Sequence, residues 1–286
     1  MVYLKSFNLL NSSKEMGCLD GRTIHNNSYP LGIFSEKKLE KIYFDPITCF
    51  YGGNGSGKTT LLNIIADKIE ATRNNYTKKG SIFDKYVELC DYEMVKFPTE
   101  IKFISSDDIF DYLLDIRAIN SNVHRKKAEL SEEWLENRFN TDNYNYNYNY
   151  NDYFKLKDVV DSKSKSMSKY IRERLSNNNI IEQSNGESAL SYWEKNITEN
   201  GIYILDEPEN SLSAENQIKL KKYIEDSARF YNCQFIISTH SPFLLSLNDA
   251  TVYNLDIVPA SVQKYSELPN VRIYYDFFKE HEKDFE

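Results

Sequence analysis

Residues 52–60 read Gly52-Gly53-Asn54-Gly55-Ser56-Gly57-Lys58-Thr59-Thr60. This stretch is a complete phosphate-binding loop of the form GxxxxGK(S/T). An apolar run, Ile47–Tyr51, precedes it and a helix-like run, Leu61–Ala66, follows it. In this context of strand, glycine loop and helix, the backbone N–H groups of the loop form a nest around an anion. The stretch therefore predicts a nucleoside triphosphate site in an α/β sheet, held by all nine residues quoted.

The chemistry expected at this loop needs two further acids. Lys58 is expected to reach the β- and γ-phosphates, and the Thr59 hydroxyl is expected to bind Mg²⁺. A second apolar run, Ile202–Leu205, ends in Asp206 and Glu207. Asp206 at the end of a buried strand is the expected second Mg²⁺ anchor, and Glu207 can polarise an attacking water. A kinase must exclude water from that position, so the pair favours an ATPase that converts ATP and water to ADP and phosphate.

A third apolar run, Cys233–Ser238, is followed by Thr239, His240, Ser241 and Pro242. Ligands of open α/β sheets collect at the carboxyl ends of the strands. A histidine placed there can form a hydrogen bond with the γ-phosphate and report its presence. We expect His240 to act in catalysis together with Lys58 and Glu207; the alternative is a structural histidine.

The last segment with a possible role precedes the helical stretch 189–193. A serine and a glycine at a helix start can bind an anion through exposed N–H groups and the helix dipole. Alone, this pattern is weak and also fits an ordinary helix cap. The residues expected to contact nucleotide here are Ser184, Asn185, Gly186 and Glu187.

Together these segments resemble the ATP-binding-cassette (ABC) ATPases. The chain is most similar to a group of small stand-alone ATPases of bacteria, the cassette-type AAA family. The features shared with that group are the Tyr29-Pro30 pair, the Ser-x-Gly-Glu-Ser signature, the Thr-His-Ser-Pro segment and the stretch 249–256. The resemblance covers most of the chain except roughly residues 115–180. It implies ATP and Mg²⁺ as ligands and an ATP-sandwiched homodimer, in which the signature of one subunit caps the γ-phosphate held by the other.

The chain departs from the family pattern at two places. Transport cassettes have a glutamine after the strand that corresponds to 101–104, whereas this chain has Ser105, Ser106, Asp107 and Asp108. Asp107 can supply an oxygen in its place or can simply cap the following helix. The loop 211–214, Ser-Leu-Ser-Ala, also lacks the aspartate of the family's dimer loop. The altered dimer loop bears on the fine coupling expected between two sites and not on the binding of ATP.

The predicted fold is an α/β P-loop ATPase of ABC type, with a mixed sheet and an N-terminal antiparallel edge sheet. The edge sheet is expected from the strand-like stretches Val2–Leu10, Ile42–Phe44 and Ile47–Tyr51. The core is predicted at 1–106 and 184–286. A helical insertion is predicted at 107–183, with helical apolar spacing at 111–116, 129–136 and 167–175.

Three aromatic features of the sequence have the chemistry to contact bases. Tyr29 or Phe34 can stack on adenine, although a core position is the favoured interpretation for either. The alternating Asn/Tyr repeat at 143–151 predicts a disordered surface loop. The alternative is a strand whose tyrosines stack on bases.

Composition sets the limits within which a function must be sought. The net charge of −8 over 286 residues argues against a surface that grips nucleic acid everywhere. The four cysteines lack CxxC pairing, which suits a reduced cytosolic compartment. Since the chain has no apolar run of membrane-spanning length, we expect a cytoplasmic protein that does not span a membrane. The four cysteines are Cys18, Cys49, Cys90 and Cys233.

Four functions fit this evidence. The first is a soluble ATP-switched dimer acting on a partner or on nucleic acid, as in DNA maintenance or phage defence. The second is the nucleotide-binding subunit of a membrane transporter. The third is a small-molecule kinase, and the fourth is a binding module with little turnover. The missing glutamine and the helical insertion favour the first over the second, and Glu207 argues against the third.

Overall fold

The computed structural model describes residues 1–19, 28–74, 80–139, 150–175, 185–210 and 212–286. The chain divides into two compact units, Met1–Phe110 with Gly186–Glu286, and Asp111–Asn185. The strands are β1 (Leu4–Asn8), β2 (Lys41–Tyr43), β3 (Ile47–Tyr51), β4 (Asp91–Met94), β5 (Glu100–Ser105), β6 (Gly201–Asp206), β7 (Gln234–Ser238), β8 (Thr251–Asn254) and β9 (Ser261–Val262). The α-helices are α1 (Ser12–Glu15), α2 (Lys58–Lys68), α3 (Ser81–Leu89), α4 (Ser106–Phe139), α5 (Tyr150–Ser164), α6 (Met167–Leu175), α7 (Asn185–Asn196), α8 (Ala214–Phe230), α9 (Pro242–Leu245) and α10 (Pro269–Glu280).

The central sheet has the strand order β5-β6-β7-β3-β8-β9. The five strands from β5 to β8 are parallel, and β9 pairs antiparallel with β8. Every residue of β3, β6 and β7 is buried, as expected for strands that helices cover on both faces. The register aligns Ser105 with Asp206, and Asp206 with Ser238, so the carboxyl ends of β5, β6 and β7 meet at one edge.

A second sheet, of order β2-β1-β4, is antiparallel. A buried glutamine, Gln234 of β7, joins it to the central sheet. The Gln234 Oε1 atom accepts the N–H groups of Tyr3 and Leu4 at 2.8 Å, and its Nε2 atom donates to the Leu4 carbonyl at 2.9 Å. These bonds fix the antiparallel sheet against the first residue of β7.

The prediction of an antiparallel sheet is confirmed, but one of its strands was wrongly assigned. Ile47–Tyr51 lies inside the parallel sheet, between β7 and β8. All five of its residues are buried, as expected for a strand that is covered on both faces. The third antiparallel strand is β4, whose exposure alternates along Asp91–Met94.

The unit Asp111–Asn185 is helical where it is described. Helix α4 runs for 34 residues through both segments that the sequence suggested as separate helices. It contains neither glycine nor proline, so nothing in the sequence breaks it. The Trp134 Nε1–H donates to the Lys165 carbonyl at 3.2 Å, and the Tyr170 hydroxyl donates to Glu133 at 2.9 Å. The repeat residues 143–149 lie outside the described part of the chain.

Two predictions from composition concern thiols and membranes. All four cysteines are buried and form no disulfide. Burial raises the pKa of the Cys49 and Cys90 thiols to about 12, which leaves them protonated and unreactive. Within the described ranges, no helix is both long enough and apolar enough to cross a bilayer.

Candidate functional site

The phosphate-binding loop connects β3 to α2 at the carboxyl edge of the sheet. Gly55 and Gly57 have φ angles of 80° and 96°, in the left-handed region that glycine adopts without cost. A Cβ atom on Gly57 would lie 2.8 Å from Cγ2 of Ile33. The Ser56 hydroxyl is buried and has no hydrogen-bond partner among the described residues. A loop with a backbone that only glycine permits and an unsatisfied buried hydroxyl fits a bound anion.

Lys58, the first residue of α2, is buried and folds back over the loop. Its Nζ atom donates to the carbonyls of Gly52 at 2.7 Å and Gly53 at 3.2 Å. The same atom lies 3.6 Å from Glu207 Oε1. The loop carbonyls thus hold the ammonium group at the mouth of the nest, where phosphate oxygens can replace them.

Thr59 and Asp206 lie side by side, as a shared metal ion requires. The Thr59 hydroxyl donates to Asp206 Oδ1 at 3.2 Å, and the Ser238 hydroxyl donates to the same oxygen. Burial raises the pKa of Asp206, and the two hydroxyl hydrogen bonds oppose that shift. A carboxylate and a hydroxyl are hard oxygen ligands of the kind that Mg²⁺ prefers. The donor set therefore fits the metal that the sequence predicts.

Glu207 is held in an uncommon backbone conformation. Its φ angle is 48°, and its N–H donates to both the carbonyl and the hydroxyl oxygen of Ser238 at 3.1 Å. Asn210 Nδ2 donates to Glu207 Oε2 at 3.1 Å, while Oε1 lies 3.9 Å from Nδ1 of His240. The structure therefore brings Lys58, Glu207 and His240 together around one carboxylate oxygen.

Glu209 organises the segment that carries His240, and sequence reasoning gave it no role. It is buried, and its Oε1 atom accepts from the Thr239 hydroxyl at 2.7 Å and from the N–H groups of His240 at 2.9 Å and Ser241 at 3.2 Å. The His240 Nδ1 atom lies 3.4 Å from the same oxygen. Burial raises the pKa of Glu209, and these hydrogen bonds oppose the shift. The available signal was a third acid, three residues after Asp206, in the same strand-end motif.

Asp256 is a second site residue to which sequence reasoning gave no role, although it ends the stretch 249–256 that the chain shares with the family it resembles. Both of its carboxylate oxygens accept the N–H of Gly53, at 3.0 and 2.9 Å. It follows β8, the neighbour of β3, and the Leu255 N–H continues that ladder by donating to the Tyr51 carbonyl at 2.9 Å. Asp256 thereby fixes the point at which the chain leaves β3 and enters the loop.

The signature residues and Asp107, which the sequence also suggested as site residues, are not placed at the phosphate-binding loop by any contact among the described residues. Ser184 lies outside the described residues, and Asn185, Gly186 and Glu187 form the first turn of α7. Asp107 is exposed on α4 and does not cap it. The cap is formed by Ser105 and Asp108, since Asp108 Oδ2 accepts both the N–H and the hydroxyl of Ser105 at 2.8 Å.

The two aromatic candidates for adenine stacking differ in exposure. Phe34 is fully buried in the core, so it is not available to a nucleotide base. Tyr29 is half-buried and stacks on Phe83 with 5.7 Å between ring centroids. Its hydroxyl donates to Thr60 Oγ1 at 3.0 Å, which ties the segment between α1 and β2 to the first turn of α2.

Comparison with known proteins gives two family matches. The family described as ABC transporter matches residues 40–210, more than half of the chain. The family described as AAA ATPase domain matches residues 192–245. The first range contains the loop, α4 and the acids at the end of β6, and the second contains β6, β7 and the His240 segment.

Two curated relatives are ATP-binding proteins by name. The lipoprotein-releasing system ATP-binding protein LolD of Buchnera aphidicola subsp. Acyrthosiphon pisum (strain APS) is 26% identical over 225 residues, 77% of this chain and 87% of the relative. The uncharacterized ABC transporter ATP-binding protein YfmM of Bacillus subtilis (strain 168) is 25% identical over 204 residues, 68% of this chain but only 37% of the relative.

Among solved structures, an Smc head domain derived from Pyrococcus furiosus is 12% identical with a TM-score of 0.39, over 99% of this chain and 100% of that chain. The family match over residues 40–210 contains Lys58, Thr59 and the Asp206–Glu207 pair. The chain therefore belongs to the ABC transporter family, as a P-loop ATPase of ABC type.

Proposed function

We propose that this protein binds ATP with Mg²⁺, hydrolyses it, and uses the ATP-bound state to pair two copies as a switch on a protein partner or on nucleic acid. One observation carries the proposal. Glu207 Oε1 lies 3.6 Å from Lys58 Nζ and 3.9 Å from His240 Nδ1, directly beside the phosphate-binding loop. A base, a cation and a proton donor thus meet where the γ-phosphate of a bound nucleotide belongs.

Binding of the nucleotide rests on the loop and on the start of α2. The N–H groups of residues 52–60 and the positive end of the helix dipole favour phosphate. Lys58 exchanges its two loop carbonyls for phosphate oxygens, so its charge becomes neutralised by the ligand. Thr59 and Asp206 would hold Mg²⁺, which supplies neutralisation of the charge that develops on the phosphate oxygens.

Hydrolysis uses Glu207 and His240. Glu207 orients a water and accepts its proton at Oε1, while the water oxygen forms a bond to the γ-phosphorus and the bond to the ADP oxygen breaks. Asn210 and the Ser238 backbone hold Glu207 in place from the other side. His240, which is half-exposed, donates to the γ-phosphate and marks its presence.

We propose further that Ser184, Asn185, Gly186 and Glu187 of one copy cap the γ-phosphate held by the second copy. ATP would then close the pair and hydrolysis would open it. The core is proposed at 1–106 and 184–286, with a helical insertion at 107–183, in a cytoplasmic protein.

A second candidate is the nucleotide-binding subunit of a membrane transporter. The observation in its favour is the LolD match, which covers 87% of a relative named for a lipoprotein-releasing system. Against it stands the end of β5, where Ser105 and Asp108 form a helix cap and no glutamine is present. The first candidate is preferred because it does not need that coupling residue.

The test is the mass of the Glu207→Gln variant in solution, measured by light scattering with and without Mg-ATP. We expect a monomer-to-dimer shift, or a strengthened dimer, with ATP, and loss of phosphate release relative to the wild type. Glu215→Gln on α8 is the matched control, because Glu215 pairs only with exposed Lys219 among the described contacts. A wild-type chain that releases phosphate only with a membrane protein would support the transporter subunit. A chain that does not bind ATP would refute both.

A further inference from the structure

The C-terminal helix α10 presents its apolar side chains to solvent. None of its 12 residues, all within the described part of the chain, is buried. Ile273, Tyr274, Tyr275, Phe277 and Phe278 of the helix are each 47–67% exposed, and Phe285 after it is 74% exposed. An isolated helix of about 12 residues is marginal in water, and contiguous apolar patches of this kind mark interaction sites. A binding partner is therefore expected to cover this face.

The start of α10 is fixed to the nucleotide site. Leu268, which precedes the helix, is fully buried. Asn270 Nδ2 donates to the His240 carbonyl at 2.7 Å, and the Asn270 N–H contacts the Tyr51 hydroxyl oxygen at 3.3 Å. The exposed face therefore stands at a defined position relative to the His240 segment, although the helix buries none of its own residues.

A groove runs between α10 and the His240 segment. Its volume is about 470 Å³, and Tyr274 and Phe278 of α10 form one wall while Pro242 and Phe243 of α9 lie in the other. Volumes of about 300–1,000 Å³ are typical of sites that hold ligands or side chains. The groove and the exposed rings form one continuous apolar surface, since Tyr274 and Phe278 belong to both.

The charges along this segment favour a second copy of the same chain as the occupant. Arg272 is the one charged residue of 269–275, whereas 280–286 contains four acids and one lysine. A two-fold interface must be self-complementary, because each patch meets its own copy. Two antiparallel α10 helices would place Arg272 of each chain beside the acidic end of the other. A parallel pair would place acid against acid.

The area of the face is also adequate for a dimer. Aromatic side chains bury about 150–250 Å² each, so five rings exposed by roughly half or more, with one isoleucine, offer on the order of 500–700 Å² per chain. A standard interface buries about 800 Å² per partner. The open side of the groove can supply much of the difference.

We propose that α10 is a dimerisation element that does not require nucleotide. Two copies pair their α10 helices antiparallel, and the aromatic side chains of each helix cover the groove of the other. ATP then acts on chains that are already held together, which raises the effective concentration of one site for the other. This contact goes beyond the ATP-driven closure proposed above, and it places the pair beside both His240 segments.

The first experiment is sedimentation of the nucleotide-free chain over a concentration series. We expect a wild-type dimer and, for Phe277→Glu with Phe278→Glu, a dissociation constant raised at least about thirtyfold, as for loss of an interface hot spot. Phe230→Glu at the end of α8 is the matched control, since Phe230 is 65% exposed and outside the groove. The control is expected to remain dimeric. Retained binding of ATP by the double variant shows that its core is folded.

A cross-linking experiment tests the antiparallel geometry without disturbing the aromatic rings. When Arg272 of one chain is level with residue 280 of the other, residue 271 is level with residue 281. Val271 and His281 lie on the same side of α10 as the exposed rings, since successive helical residues turn by about 100°. The double variant Val271→Cys with His281→Cys is therefore expected to form a disulfide-linked dimer without ATP, whereas either single variant is not. The native cysteines are all buried and give little background.

Three results would overturn the proposal: a monomeric nucleotide-free wild type at all concentrations, a dimer that the Phe277→Glu, Phe278→Glu variant leaves intact, or a Val271→Cys, His281→Cys chain that stays uncross-linked. Each leaves ATP binding and phosphate release by the wild type untouched, so none of them bears on the hydrolysis proposed above. Conversely, failure of ATP binding or hydrolysis leaves the α10 contact standing.

Discussion

The carboxyl edge of the central sheet and helix α10 satisfy their side chains in opposite ways. At the edge, one carboxylate oxygen of Glu209 accepts three hydrogen bonds from the chain and one of Asp206 accepts two, although the buried Ser56 hydroxyl has no partner among the described residues. In α10, by contrast, none of the apolar side chains is buried. The difference indicates that the edge is preorganised before its ligand arrives, as electrostatic catalysis requires, whereas α10 depends on a surface that another chain supplies.

The largest expected effect tests whether the preorganised edge is a catalytic site at all. In Lys58→Ala, the ammonium held by Gly52 and Gly53 is lost, and with it the charge that stabilises the transferred phosphoryl group. We expect phosphate release to fall by about a hundredfold to a thousandfold or more, as when one preorganised donor is removed. Steady-state phosphate release measures the effect.

Lys68→Ala is the matched control, because Lys68 is at the other end of the same helix and donates only to the Glu88 carbonyl among the described bonds. Its turnover is expected to stay near that of the wild type. Equal turnover in Lys58→Ala and Lys68→Ala would show that the edge is ordered for a structural reason.

The next effect concerns Glu209 as a residue that positions His240. Glu209→Ala removes the acceptor of three hydrogen bonds, so we expect kcat to fall by about tenfold to a hundredfold while KM for ATP changes little. Glu209→Gln keeps an oxygen at the same place and is expected to restore most of the rate. Because Glu209 acts through His240, its loss in a His240→Ala background is expected to cost little more. Additive losses would instead indicate an independent role.

A smaller effect tests the backbone of the loop. Gly57→Ala forces a side chain into a φ of 96° and to 2.8 Å from Ile33 Cγ2. We expect a loss of stability of about 1–2 kcal/mol from the left-handed conformation alone, measured as a lower urea midpoint, together with weaker ATP binding. In Gly17→Ala, the new Cβ atom meets only Leu89 Cδ1 at 3.9 Å, so this control is expected to be near neutral. A Gly57→Ala chain as stable as the control would show that the loop relaxes freely.

Periodicity and motif context were sufficient for much of the central sheet. Strands β3, β6 and β7 were predictable because each is a continuous apolar run that ends in a polar motif, and α6 was predicted with its observed bounds. The sequence did not reveal that Ile47–Tyr51 lies between β7 and β8, since strand order depends on contacts distant in sequence. It also missed β4, whose residues Asp91–Met94 carry only a weak alternation.

Among site residues, those with a local motif could be predicted and those defined by distant contacts could not. Lys58, Thr59, Asp206 and Glu207 follow from motifs in which the neighbours supply the context. Glu209 and Asp256 act on residues about 30 and 203 positions away, respectively, so only the folded sheet reveals their partners.

The smallest expected effect is a dependence of stability on pH, caused by the buried carboxyl group of Asp206. Burial raises the pKa of Asp206. Ionisation of this carboxyl group therefore lowers the stability of the metal-free chain. For a carboxyl group whose pKa is higher in the folded state, stability is lost as pH rises from its unfolded pKa through its folded pKa. We therefore expect Asp206→Asn to unfold at a higher temperature than the wild type at neutral pH without Mg²⁺, and the difference to shrink as pH falls toward the ordinary aspartate range. Melting curves in the presence of a chelator measure this. A lower melting temperature for Asp206→Asn at neutral pH would mean that the hydroxyls of Thr59 and Ser238 outweigh the cost of burial, so that the edge is a stabilising network rather than a site held ready for a cation.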